Sequence, residues 1–211
     1  MFITFEGIDG CGKSTQIARF EARLRKAGIF PVVTREPGGT RTGEAIREIV
    51  LHLDGVNVTP LTQLFLYEAD RAQHIEEIVK PSLELGKWVV CDRFFDATTV
   101  YQGIVQGQGE GLTEQLTHLS ASGLNPDITF LLDCPAEIAM ERIKKRGSET
   151  KKRDMFDKKD IDFHRKIRYG YLSIADKCKD RFKIIDASLA IDEISREIGK
   201  AISPYLIDKK R

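Results

Sequence analysis

The chain has 211 residues, 41% of them apolar and 31% charged, with a formal charge of +1. That length suits one well-buried α/β unit. The near-neutral charge speaks against a dedicated nucleic-acid binder, which carries a basic excess. No apolar run approaches membrane-spanning length, and no basic leader precedes the first apolar run. The four cysteines, Cys11, Cys91, Cys134 and Cys178, have neither metal-knuckle nor C-x-x-C spacing. Cys91 and Cys134 read as buried thiols, and a reducing cytoplasm is the expected compartment.

In chain order, Phe2 to Phe5 reads as a buried strand and runs into Gly7-Ile8-Asp9-Gly10-Cys11-Gly12-Lys13-Ser14, a full match to the phosphate-loop pattern G-x-x-x-x-G-K-[ST]. Ile17, Phe20, Leu24 and Ala27 then share a helical stripe that Gly28 ends. Strand, glycine loop and helix together turn backbone N–H groups and a helix N-terminus toward a polyphosphate. A strand is predicted over 30–34 and a helix on Ile46, Ile49, Val50 and Leu53. A long helix is predicted over 61–85, with Leu61, Leu64, Phe65, Ala72, Ile75, Val79 and Leu83 facing inward. Strands are predicted over 88–92, 128–133 and 182–185, and helices over 136–146, 160–178 and from Ile191 through Ile198. The segments 103–111 and 147–159 read as irregular. This alternation predicts an α/β three-layer sandwich, a parallel sheet of about five strands between helices, with ligands at the carboxyl ends of the strands.

Within that frame, Lys13 is suited to the β- and γ-phosphates of a nucleoside triphosphate and Ser14 to Mg²⁺, with Gly7, Ile8, Asp9, Gly10, Cys11, Gly12 and Thr15 lining the donor phosphates. The absence of an N-K-x-D motif disfavours a GTPase, and the absence of L-S-G-G-Q disfavours a transporter ATPase. A kinase for a small acceptor is favoured. Asp92, ending a strand, is placed to hold a metal-bound water. Arg93 after it offers a planar fork to an acceptor phosphate. Phosphoryl transfer needs cations around the moving group. The basic run Arg142, Lys144, Lys145, Arg146, Lys151, Lys152 and Arg153 reads as a lid at about 142–157, with Arg146 and Arg153 approaching the phosphates and Arg142 packing on adenine.

Five further segments occur in order. They are Thr34-Arg35-Glu36-Pro37-Gly38-Gly39-Thr40, Ala69-Asp70-Arg71-Ala72-Gln73-His74, Asp92-Arg93-Phe94, Tyr101-Gln102-Gly103 and Asp186-Ala187-Ser188. With the phosphate loop, this set resembles the bacterial thymidylate kinase family over nearly the whole chain. The resemblance implies the phosphate-loop NTPase fold, a single nucleoside-monophosphate-kinase domain over 1–211, and transfer from ATP to dTMP with Mg²⁺ in DNA precursor synthesis. It also implies a cytoplasmic homodimer that needs neither nucleic acid nor membrane.

By the same resemblance, Asp9 orients the sugar 3′-OH, and Arg47 joins Arg93 at the acceptor phosphate, a helix-surface pair of Arg47 with Glu44 being the alternative. Glu36, with Pro37, touches the sugar or water around Mg²⁺. Arg71, Thr98 and Gln102 read the pyrimidine. Tyr67 or Phe65 stacks on the base or packs in the core, Tyr101 crowds the 2′ side of the sugar, and Ala187 falls on the ATP side. Departures from the family pattern are Gly10 in place of a loop arginine, Met155 in place of a lid arginine (with Arg153 substituting by a shifted register), Gln106, Ala97 and Val100. A kinase for another acceptor, a slow nucleotide-dependent switch and a silent relative stand as the alternatives.

Overall fold

The computed structural model describes residues 1–52, 57–149 and 160–207, without the side chains of residues 52, 146–149 and 207. Five strands, β1 (Phe2–Glu6), β2 (Val32–Arg35), β3 (Val89–Asp92), β4 (Ile128–Asp133) and β5 (Phe182–Asp186), form one parallel sheet in the order β2-β3-β1-β4-β5. β1 is buried at every residue, as a central parallel strand covered on both faces must be. Its side chains alternate between two cores. Ile3 and Phe5 pack with Ile17, Phe20 and Leu24, whereas Phe2 packs with Ile75, Val79 and Phe94 on the other face.

The helices are α1 (Lys13–Lys26), α2 (Arg41–Arg47), α3 (Pro60–His74), α4 (Lys80–Glu84), α5 (Phe95–Thr98), α6 (Glu110–Ser120), α7 (Ala136–Glu149), α8 (Ile161–Lys177) and α9 (Ile191–Ile207). Gly28, at φ 79, stops the chain after α1 as its sequence position predicts. The Thr40 side chain caps α2, accepting from Gly43 N at 2.9 Å, and Asp160 caps α8, accepting from Phe163 N at 2.8 Å. α3 and α4 are joined through a π-helical stretch, Ile75–Val79, just before Pro81, whose missing N–H cannot continue the i→i−4 ladder. Further π-helical stretches, Glu48–His52 and Thr99–Val105, follow α2 and α5.

Three expectations need correction. In the 61–85 helix Leu64, Ile75 and Val79 are buried, but Leu61, Phe65 and Ala72 face outward. The buried face of α3 is polar instead, carrying Gln63, Tyr67, Glu68, Asp70, Arg71 and His74, because it borders a cavity rather than the apolar core. Phe30 is exposed, and the second strand begins at Val32. The stretch 103–111, read as irregular, contains the end of the π-helical turn and the start of α6. α6 buries Thr113, Thr117 and Ser120 and exposes Leu112 and Leu119, so its amphipathic pattern is inverted and a hydrophobic-stripe reading passes over it. Leu53 lies outside the described residues.

Candidate active site

Parallel pairing sets the chemistry at one edge. Phe5 and Arg35 both lie opposite Asp92, so the ends of β1, β2 and β3 deliver the phosphate loop, Arg35 and Asp92 to the same side. A cavity of about 500 Å³ opens there. One wall is Asp9, Gly10, Gly12, Lys13, Ser14 and Thr15, with Arg142 beside them. The other is built from Glu36, Pro37, Arg47, Tyr67, Arg71, Asp92, Arg93, Thr98, Tyr101 and Gln102. Most of the predicted donor and acceptor residues therefore meet in one space. Arg35, Leu51, Phe94, Ala97 and Ile143 also line it, although the sequence reading assigns them no role.

At the phosphate loop, Gly12 caps α1 at φ 101 beside open space, where an added Cβ meets nothing within 4 Å. Gly10, at φ 80, lies against α7, where a Cβ would meet Ala139 O at 2.4 Å. Glycine is needed there for conformation and for close approach. Lys13 Nζ donates to Gly7 O at 3.1 Å and Ile8 O at 3.3 Å, so the ammonium lies folded along its own loop. Ile8 and Cys11 are buried under the loop.

The second wall turns on two arginines. Arg93 donates through Nη1 to Gly7 O (3.1 Å) and Tyr171 OH (2.9 Å), and through Nη2 to Asp9 Oδ1 (2.5 Å) and Tyr101 OH (3.2 Å). The Tyr101 hydroxyl donates to Asp9 Oδ2 at 3.2 Å. Burial alone would raise the Asp9 pKa, but Arg93 and Lys13 beside it hold it at about 2. Asp9 is thus an anion at neutral pH, able to accept a hydroxyl proton's hydrogen bond.

Arg71 is 1% exposed and is clamped on three sides. Its Nε donates to Glu36 Oε2 (3.0 Å), Nη1 to Glu68 Oε2 (2.6 Å) and Nη2 to Thr98 Oγ1 (2.8 Å). Two of its five N–H groups stay available for a ligand. The carboxylate of Glu36 is shared between Arg71 and His74, whose Nδ1 lies 2.8 Å from Oε1. Glu68 is held in turn by the hydroxyls of Thr117 and Ser120 on α6. Burial and neighbouring Glu36 push the Asp70 carboxyl up to about 7, against the pull of the Gly38 amide it accepts from at 3.0 Å. Glu68, His74 and Tyr171 were missed as functional residues. Tyr171 hides in the apolar stripe of α8, and His74 sits in a quoted motif to which the sequence attaches no role.

The remaining expectations divide as follows. Tyr67 lines the cavity, whereas Phe65 is 52% exposed and serves neither as a stacking ring there nor as core. Arg47 lines the cavity and donates to Pro37 O at 2.8 Å, while the Glu44 carboxylate takes Arg35 at 2.9 Å. Arg142 donates to Ala187 O at 3.0 Å, joining α7 to the segment after β5. Ala187 itself is buried. Arg153, Lys151, Lys152, Met155 and the side chain of Arg146 lie outside the described residues.

Two buried atoms in the cavity wall have no hydrogen-bond partner: Asp92 Oδ1 and Gln102 Nε2. An unpartnered buried carboxylate oxygen across from the exposed Ser14 hydroxyl fits a hydrated divalent cation, and an unpartnered amide donor fits a carbonyl acceptor. Among the described residues no group of three or more His, Cys, Asp or Glu side chains forms a metal cage.

A phosphate loop at the carboxyl edge of a parallel sheet, facing an arginine-lined acceptor wall across one cavity, defines a phosphate-loop phosphotransferase for a small acceptor. A family profile described as Thymidylate kinase matches residues 5–198. The chain is 44% identical over 209 residues to the thymidylate kinase of Geotalea uraniireducens (98% of each chain), and 46% identical over 191 residues to that of Desulfosudis oleivorans (89% of each). Its fold matches the crystal structure of thymidylate kinase from Ehrlichia chaffeensis with a TM-score of 0.78 at 34% identity, covering 96% of this chain and 98% of that one. The chain belongs to the thymidylate kinase family.

Proposed function

We propose that this chain transfers the γ-phosphoryl group of ATP to dTMP, giving dTDP and ADP, as one kinase unit. The observation that carries this reading is the shared cavity. A triphosphate on the Gly7–Ser14 loop and a nucleotide on the Arg71, Thr98 and Gln102 wall face each other across Arg93 and Asp9. The transition state is loose and highly charged, so the protein's task is alignment and charge compensation. Lys13 leaves its loop carbonyls for the β- and γ-phosphates.

The four Nη hydrogens of Arg93 are engaged, so an acceptor phosphate takes its Nε–H or displaces Asp9 from Nη2. Asp9, once released, accepts from the sugar 3′-OH. Tyr101 stands beside it and crowds the 2′ side. Arg71 and Gln102 Nε2 donate to the pyrimidine carbonyls, Tyr67 stacks, and Arg47 adds charge at the acceptor phosphate. The cationic segment 142–153, through Arg146 and Arg153, covers the phosphates, while Arg142 packs on adenine and Ala187 borders it. Ser14, and Asp92 through water, would hold Mg²⁺, which would supply charge neutralisation for the donor phosphates. Glu36 acts on the acceptor side by orienting Arg71.

Glu68 ties α3 to α6, and Leu61 and Phe65 on α3 and Leu112 and Leu119 on α6 are all exposed. This supports a homodimer through these two helices. No helix among the described residues is long and apolar enough to cross a membrane, and the free thiols suit the cytoplasm.

Diphosphate formation from ATP with dTMP, dCMP, dUMP and thymidine in parallel tests the reading. It expects dTMP to be preferred over dCMP by at least about a hundredfold in kcat/KM, because the wrong pairing edge strands buried donors. Equal turnover of dCMP, or faster turnover of thymidine, refutes it.

A further inference from the structure

Outside the groups assigned above lies a wholly buried carboxylate. Glu6 ends β1, one residue before the phosphate loop, and is 0% exposed. Its two oxygens reach the same arginine by different routes. Oε1 accepts from the backbone N–H of Phe94 at 2.7 Å, and Oε2 accepts from the Tyr171 hydroxyl at 2.7 Å. The Tyr171 oxygen in turn accepts from Arg93 Nη1 at 2.9 Å.

Arg93 itself sits at φ 70, a left-handed conformation that a side chain with a Cβ adopts only when its surroundings hold it. Two further bonds fix that backbone. Arg93 N donates to Phe5 O at 3.0 Å, and the Cys91 thiol donates to Arg93 O at 2.9 Å. Phe94 is pinned by Glu6 directly after the turn, and Tyr171 meets the guanidinium at its far end.

We propose that Glu6 and Tyr171 are positioning residues for Arg93, Glu6 anchoring the arginine's strained backbone through Phe94 and, through the hydroxyl of Tyr171, the orientation of its guanidinium. The proposal rests on the reading above that Arg93 meets the acceptor phosphate. A tyrosine is chemically suited to the link. Its oxygen has two lone pairs and one proton, so one lone pair holds Arg93 while the proton or the other lone pair serves Glu6. Burial and neighbouring Asp96 push the Glu6 carboxyl up to about 8, against the pull of Arg93, Tyr171 and the Phe94 amide. The Tyr171–Arg93 bond survives either protonation state of Glu6. The arrangement also accounts for a hydroxyl-bearing ring beside Ile167, Gly170, Ile174 and Ala175 on the buried face of α8.

The test measures KM for dTMP, KM for ATP and kcat in the full-length protein. Tyr171→Phe keeps the ring and removes only the link. It is expected to raise KM for dTMP about tenfold and leave KM for ATP unmoved, since one charge-assisted hydrogen bond on the acceptor arginine is lost. Glu6→Gln retains an acceptor for Phe94 and a donor for Tyr171, so its KM for dTMP stays within about threefold of wild type. Glu6→Met offers neither and shifts KM for dTMP at least as far as Tyr171→Phe. If Glu6→Met does not fold, Tyr171→Phe against Glu6→Gln decides.

Arg93→Lys separates the two levels of the argument. If it raises KM for dTMP while Tyr171→Phe does not, the positioning proposal is overturned and the acceptor reading stands. If Arg93→Lys also leaves KM for dTMP unchanged, the acceptor reading falls and the proposal with it. Equal rises in both KM values for Tyr171→Phe mark general disruption and likewise overturn positioning.

Discussion

Lys13 shows how far a single residue can be argued. Lys13 is only 8% exposed and its ammonium donates to Gly7 O and Ile8 O; among the described residues no carboxylate lies within ion-pair distance of it, and its attraction to Asp9 acts at longer range. Lys13→Ala is therefore expected to cut kcat by about a thousandfold, the scale of losing one placed transition-state donor, while the melting temperature moves by no more than about 3 °C. Turnover within tenfold of wild type would remove the phosphate loop from the chemistry. Arg71 is a different case. Glu36 and Glu68 are both buried against it, so Arg71→Ala strands two carboxylates and costs about 3–5 kcal/mol of stability in addition to any loss of base selection.

The sequence exposes Lys13 and Arg93 because their local patterns, G-K-S after a strand and D-R at a strand end, carry chemistry by themselves, whereas Arg71, inside α3, is picked out only by the family resemblance. Glu6, Glu68, His74 and Tyr171 were not legible in the same way. Each acts through a partner that is 35 or more positions away in the chain, or lies inside an ordinary packing stripe, and only the fold supplies the distance.

At the level of elements, hydrophobic periodicity located the five strands and most helices, since parallel strands read as short apolar runs. It failed where an element borders the cavity or solvent instead of the core. α3 buries a polar face, and α6 buries threonines. The loop from Glu36 to Thr40 shows how tightly such elements interlock. It is held by the Gly38 amide on Asp70 and by α2, whose Gly43 packs directly on it: a Cβ at Gly43 would meet Gly38 O at 2.6 Å and Asp70 Oδ1 at 2.3 Å. Backbone cannot yield as a flexible side chain can. Gly43→Ala should therefore push α2 off the loop, although alanine is the better helix former. The expected outcome is a loss of about 1–3 kcal/mol in urea unfolding together with a raised KM for dTMP, because Glu36 and Pro37 move with the loop. A variant as stable as wild type with unchanged KM would mean the loop accommodates the methyl group and does not set the acceptor wall.

Across the described residues, one sheet edge collects the cavity-lining groups proposed for chemistry, and the exposed apolar side chains of α3 and α6 lie outside that cavity. Leu61 and Phe65 on α3 and Leu112 and Leu119 on α6 are between 41% and 77% exposed, on two helices joined by Glu68 with Thr117 and Ser120. The same Glu68 binds Arg71, so a second copy seated on this face would rest behind the arginine proposed to read the base. Association and acceptor selection are then expected to move together. Phe65→Glu places a charge in the face without touching the cavity, since Phe65 is not among its lining residues. It should convert a dimer to a monomer in light scattering at micromolar protein. The monomer should retain ATP binding but lose part of its preference for dTMP over dCMP, as α6 loosens its hold on Glu68. A dimer of unchanged mass would place the interface on another surface. A monomer with undiminished selectivity would show that Glu68 orients Arg71 without any support from across the interface.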